Sequence, residues 1–177
     1  PFTSLHHASW REKCGVVMQN GMIFNGTIAD NISLGQEKNE EMILQAAKIA
    51  NIDEFIDTLA KGYMTEVGNE GVSLSTGQTQ RLLLARAVYK NPSFLFLDEA
   101  TSALDANNEK KVIENLNYFF EGRTVVVVAH RLSTVKNADQ IIVLDRGKIA
   151  ETGSHTELTG SRGIYYTLVK NQLELGD

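Results

Sequence analysis

Phe94-Leu95-Phe96-Leu97-Asp98-Glu99 is the stretch on which the architecture turns. Four apolar residues in a row are strand-sized, and two acids follow at once. Thr124 to Ala129 repeats the pattern with a uniformly apolar run. Between the two, Asn107 to Phe120 places Val112, Leu116 and Phe119 on one side at helical spacing. Strands apolar on both faces and linked by a helix predict a parallel sheet covered on both sides.

Upstream, Thr76 to Tyr89 reads as a helix that stops before Pro92, because the residue preceding a proline disfavours helical geometry. Gly62 to Val72 is turn-rich, and Asp53 to Ala60 reads as a short helix. Glu40 to Ala50 sets Ile43, Ala46, Ala47 and Ala50 on one helical face. Gly15 to Met18 reads as a strand leading into a polar, glycine-rich loop. Downstream, Gln140 to Asp145 and Lys148 to Glu151 flank Asp145-Arg146-Gly147, a hairpin signal. Ser154-His155-Thr156-Glu157 has capping-box spacing, and a last helix follows Gly163.

The bulk composition narrows the function classes. Apolar residues at 42% and charged residues at 22% match soluble globular averages, so 177 residues can bury a core without staples. The net charge of −5 leaves no electrostatic footprint for nucleic acid. Cys14 is the only cysteine, which excludes an internal disulfide and fits a reducing compartment. No apolar stretch reaches the roughly 18–20 residues that span a bilayer, so other segments must supply any membrane part. The chain does not begin with Met, which suggests a fragment or a processed product.

Several positions can carry chemistry. Asp98 and Glu99 follow a buried strand, where ligands bind parallel α/β sheets. One acid there can hold Mg²⁺ together with substrate phosphates, and its neighbour can take a proton from a water. The same pair could simply begin the next helix, where acids are favoured. Ser75 and Gln78 have capping-box spacing for the helix that follows. Its N-terminus would attract phosphate, and Gly77 would let a ligand approach closely, though an ordinary helix cap reads the same way. His130 follows the strand ending at Ala129 and could hydrogen-bond a phosphate or be structural. Gln19, after the strand ending at Met18, could position an attacking water.

Taken in order, these residues resemble an ATP-binding cassette (ABC) domain. Gln19 is similar to the Q-loop glutamine, and Leu74-Ser75-Thr76-Gly77-Gln78 resembles the family signature with Thr76 where glycine is usual. Phe94 to Glu99 resembles the Walker B strand, Ser102-Ala103-Leu104-Asp105 the D-loop, and His130-Arg131-Leu132-Ser133 the switch-histidine segment. The resemblance runs from about Cys14 to Val169. It implies an α/β fold with a three-layer P-loop NTPase-like core, N-terminally truncated, and a helical subdomain. Residues 1–30 would belong to the core, 31–90 to the helical subdomain ending in the signature and its helix, and 91–177 to the catalytic core.

The resemblance also implies roles. Asp98 would help bind Mg²⁺, Glu99 would be the general base, and His130 would contact the γ-phosphate of ATP. Gln19 would contact the metal or the water and relay to a transmembrane domain. Ser75, Gly77 and Gln78 would close on ATP held by a second nucleotide-binding domain, and Asp105 would couple the two sites of that dimer. The expected setting is the cytoplasmic face of the cell (inner) membrane.

One family element is missing. The phosphate-binding string G-x-x-x-x-G-K-[ST] does not occur; the one Gly-Lys pair, Gly147-Lys148, sits in the predicted hairpin. In the family that loop precedes the Q-loop, so it is expected upstream of Pro1. The isolated chain is therefore expected to bind ATP poorly and hydrolyse it negligibly. Phe24 to Ile32, Val67 to Leu74 and Ala138 to Glu157 resemble exporters, with a lean toward bacterial peptide or bacteriocin exporters. A soluble cassette ATPase of repair or translation, and a non-catalytic dimerisation module, are the alternatives.

Overall fold

The computed structural model describes residues 6–129 and 131–174, which form two compact units divided between Val128 and Ala129. The first unit opens with helix α1 (His7–Lys13), strand β1 (Cys14–Val17), strand β2 (Gly26–Thr27) and helix α2 (Ile28–Ser33). Helices α3 (Glu40–Ile49) and α4 (Asp53–Asp57), a 3-10 turn (Gly62–Met64) and strand β3 (Glu66–Val67) follow. Helix α5 (Thr76–Tyr89), strand β4 (Phe94–Asp98), helix α6 (Ala106–Phe120) and strand β5 (Thr124–Val128) complete it.

Three of these strands form one parallel sheet in the order β1-β4-β5. Val17 lies opposite Leu97 and Leu97 opposite Val127, so side chains of like parity share a face. Val17, Leu95 and Leu97 are buried on one face, with Val125 and Val127 half-buried beside them. They share a core with Leu82 and Leu84 of α5 and Val112 and Leu116 of α6.

The other face departs from the expectation of a sheet covered on both sides. Val16, Val126 and Val128 lie on it and are 53%, 47% and 52% exposed. Helix α1 reaches only its beginning, where the Trp10 ring packs on Phe94 at a tilt of 48° with ring centroids 4.6 Å apart. Lys90 fastens this corner through its ammonium, which donates to the carbonyls of Arg11 and Cys14. The apolar pattern of a strand states what the strand requires on each side. Whether a given segment supplies that cover is a separate matter.

Helix α5 matches its predicted bounds. Ser75 caps its start, and after it Asn91 turns through a left-handed conformation (φ 51°) into Pro92. Helix α3 buries Ile43, Ala46 and Ala47, and the small alanines let it pack closely on α5. The first thirty residues contain more than a strand and a loop. Helix α1 precedes β1, and α2 follows the loop with a capping box made by Thr27 and Asp30. Six residues are too few for α2 to display periodicity, and an Asp replaces the usual Glu or Gln of the box. The turn-rich stretch holds β3, which pairs antiparallel with β2.

The second unit contains α7 (Leu132–Val135), the antiparallel hairpin β6 (Ile141–Asp145) and β7 (Lys148–Gly153), α8 (His155–Ser161) and α9 (Ile164–Glu174). Arg146 and Gly147 both have positive φ at the hairpin turn, the geometry that suits the twist of paired strands. Ser154 and Glu157 form the predicted capping box. Glu151 receives the backbone N–H groups of Ile164 and Tyr165 at the start of α9. Ile141, Val143, Leu158, Tyr165 and Val169 make this unit's core. Among the described residues no helix is long and apolar enough to cross a membrane.

Candidate active site

Strands β1 and β4 are neighbours and run parallel, so the residues just past their carboxyl ends meet. Gln19 Nε2 donates to Glu99 Oε2 at 2.7 Å. Asp98 is the last residue of β4, in register with Val128, and its parity places it on the open face with Phe96. Glu99 leaves the strand in a left-handed conformation, φ 49°, while its N–H still donates to the carbonyl of Val128. A non-glycine residue held there is strained, and such strain persists where surrounding contacts over-determine it.

Those contacts come from α5. Gln80 is buried at 3% exposure in the second turn of the helix. Its Nε2 donates to the Glu99 carbonyl (3.1 Å) and to Ser102 Oγ (3.2 Å), and its Oε1 accepts from Ala103 N (2.9 Å). At the head of α5, Ser75 Oγ accepts from Gln78 N and Gln78 Oε1 accepts from Ser75 N. Both of these polar side chains are thus engaged in the cap. Gly77 sits against the turn after Glu99: a Cβ there would lie 3.2 Å from the Ala103 carbonyl oxygen. Its bareness serves close packing inside this chain, whatever else approaches it.

Asp105 caps α6. Its carboxylate accepts from Asn107 N, Asn108 N and Asn108 Nδ2, and the Asn108 side chain foremost holds it below the usual carboxylate range. His130 lies outside the described residues.

The segment after Gln19 is clamped to α5. A Cβ on Gly21 would come within 2.5 Å of the Leu83 Cδ1 methyl, so a larger residue in this turn would have to move the Leu83 side chain. Arg86 donates to the carbonyls of Met22 (2.9 Å) and Asn31 (2.8 Å) and to Asn31 Oδ1 (3.0 Å). Its guanidinium also stands over the Phe24 ring. Burial pushes the Arg86 pKa down, but guanidinium keeps its charge, and these acceptors replace lost water. Asn31 is buried and bonds both backbone groups of Phe24, with its amide also donating to Thr27 O. Next to it Asp30 pairs with Lys38 at 2.6 Å, which with its Thr27 bonds holds its pKa at about 2.

The structure therefore gathers Gln19, Asp98 and Glu99 at one sheet end. Ser75, Gly77, Gln78 and Asp105 belong to the adjoining heads of α5 and α6, joined to that end through Gln80. Gln80, Arg86 and Asn31 are residues that reading the sequence missed. The available signal was polar side chains interrupting an apolar helix, as Gln80 and Arg86 do around Leu82-Leu83-Leu84-Ala85. Among the described residues no group of three or more His, Cys, Asp or Glu side chains converges as a metal cluster. One open concavity, lined by residues that include Gln45, Lys48, Asn115, Tyr118 and Arg123, holds none of these site residues.

The family described as ABC transporter matches residues 1–102. ABC transporter B family member 14 of Arabidopsis thaliana is 54% identical over 163 residues, 92% of this chain and 13% of that protein. ABC multidrug transporter MDR5 of Trichophyton rubrum is 48% identical over 174 residues, 97% of this chain and 14% of that one. A solved bacterial Atm1-family ABC exporter with ATP bound superposes with a TM-score of 0.89 at 41% identity, covering 94% of this chain and 30% of that chain. The chain thus spans about an eighth of the length of the first of these relatives and shares the fold of the solved exporter's matching part.

Proposed function

The chain belongs to the ABC transporter family, and from that premise we propose that it is part of the ATP-hydrolysing domain of a membrane exporter. The observation that carries the reading is the 2.7 Å bond between Gln19 and Glu99 at the ends of adjacent parallel strands. On this reading residues 1–30 and 91–177 contribute to the catalytic core, and residues 31–90 form the helical subdomain. Transmembrane segments of the parent carry the substrate, and the domain works at the cytoplasmic face of the membrane.

The chemistry follows from the residue types. Water attacks the γ-phosphorus of ATP, the bond to the bridging oxygen breaks, and ADP and phosphate leave. Glu99 takes the proton of the attacking water. A carboxylate offers about four lone-pair sites, so accepting from Gln19 leaves capacity for a water while fixing which way the group points. Asp98, at the strand end with its carboxylate on the open face, together with the Gln19 carbonyl Oε1, suits a cation that takes few protein oxygens. Mg²⁺ held there would neutralise charge building on the phosphates. His130 would donate to the γ-phosphate. Ser75, Gly77 and Gln78 would face the nucleotide of a second domain, and Asp105 would join the two sites.

Phosphate release by the purified parent transporter tests this reading. Release that requires both Mg²⁺ and ATP and slows in His130→Ala is expected. A parent that binds ATP and releases no phosphate overturns the hydrolytic assignment.

A further inference from the structure

Helix α5 grips the turn after β4 at two points. Gly77 lies against the Ala103 carbonyl, and one turn later Gln80 spends its amide on the same segment. The fork is specific: the NH₂ group meets two acceptors, Glu99 O and Ser102 Oγ, and the carbonyl meets one donor, Ala103 N. The Glu99 carbonyl thereby accepts twice, from Gln80 and from Ser102 N at 3.1 Å. These bonds close on a residue in the left-handed region, φ 49°, that an L side chain rarely adopts. Released from them, Glu99 would relax toward ordinary φ and swing its carboxylate away from Gln19.

We propose that Gln80 is a positioning residue that locks the backbone of Glu99 and ties it to the head of α5, which begins with Ser75. The inference rests on the hydrolytic reading of Glu99. Its consequence is mechanical. If the head of α5 closes on the nucleotide of a second domain, the displacement reaches this chain's own base through one helical turn and one buried amide. No water or loop motion needs to carry it. The coupling is thus between filling one site and poising the base of the other.

The test uses the full-length transporter and steady-state hydrolysis across ATP concentrations. Gln80→Met keeps the volume and loses every hydrogen bond. Gln80→Glu keeps the shape and the acceptor for Ala103 N, but sets an oxygen against the Glu99 carbonyl. Both are expected to lower kcat about tenfold or more while KM for ATP moves less than about threefold, since the loss concerns the transition state and not binding. Both are also expected to bring the Hill coefficient for ATP toward one. Should Gln80→Met fail to fold, Gln80→Glu with a wild-type melting temperature carries the test. Folded variants with wild-type kcat and Hill coefficient overturn the proposal. Glu99→Gln separates the two levels: normal turnover in it removes the hydrolytic reading itself, whereas its collapse beside unaffected Gln80 variants removes only the role of Gln80.

Discussion

Gln19 and Glu99 stand 80 residues apart in sequence and 2.7 Å apart in space, amide nitrogen to carboxylate oxygen. The parallel pairing of β1 with β4 creates the contact, since both residues fall just beyond the ends of adjacent strands. On the proposed hydrolytic reading the amide does not accept the proton; it orients the carboxylate that would. Gln19→Ala in the parent transporter should therefore lower kcat by about 10–100-fold, the usual cost of losing a partner that orients a reacting group. ATP binding measured at equilibrium should change little. A wild-type rate would make the bond incidental.

Arg86 should matter to stability more than to chemistry. Its guanidinium serves Met22 O, Asn31 O and Asn31 Oδ1, so Arg86→Met takes the Arg86 donor from the carbonyl of buried Asn31 and leaves Asn31 Oδ1 with Phe24 N alone. A loss of about 1–3 kcal/mol in unfolding free energy is expected from denaturant titration. Arg86→Lys should recover only part of it, because an ammonium cannot reproduce the planar fork.

Asp30 should leave a mark on acid unfolding. Its folded pKa of about 2 lies below the model-peptide value of 3.8, chiefly through Lys38 and then Thr27. The lowered value means that the carboxylate stabilises the fold above pH 3.8 and that this contribution is lost as pH falls toward about 2. Both partners are close to half exposed, so solvent screening keeps the effect small. Urea midpoints measured from pH 5 to pH 2 should fall less steeply in Asp30→Asn than in wild type. Parallel curves would remove the pair from the acid response.

The 177 residues alone should bind Mg-ATP more weakly than about 1 mM by calorimetry. No G-x-x-x-x-G-K-[ST] string occurs in them, so the backbone nest and lysine that cradle phosphates are not among their groups. Micromolar binding by this chain would mean that other groups hold the phosphates.

Much of the core was legible because its signals are local. The apolar runs of β4 and β5, the capping boxes at Ser75 and Ser154 and the alanine face of α3 each announce themselves within a few residues. Helix α2 was not legible, since its single turn and a half is stabilised by tertiary contacts such as Asn31 with Phe24. The site divides along the same line. Asp98 and Glu99 stand out by following a strand directly, and Gln19 by following another. The partner of Gln19, the left-handed backbone of Glu99 and the fork of Gln80 depend on which strands pair and which helix lies beneath. Burial on one face of the sheet misled for the same reason: Val126 and Val128 read as core from composition alone and are exposed here.

The most direct measurement is ATP turnover by the full-length transporter carrying Glu99→Gln, with bound nucleotide counted in the same sample. The substitution removes the proton acceptor while keeping size and hydrogen-bonding reach. A rate about 10²–10³-fold lower, the range typical of deleting one well-placed catalytic group, with ATP retained unhydrolysed, is the expected result. Turnover near the wild-type rate would contradict the assignment of Glu99 as the base and, with it, the account of why Gln19 meets it at the end of the sheet.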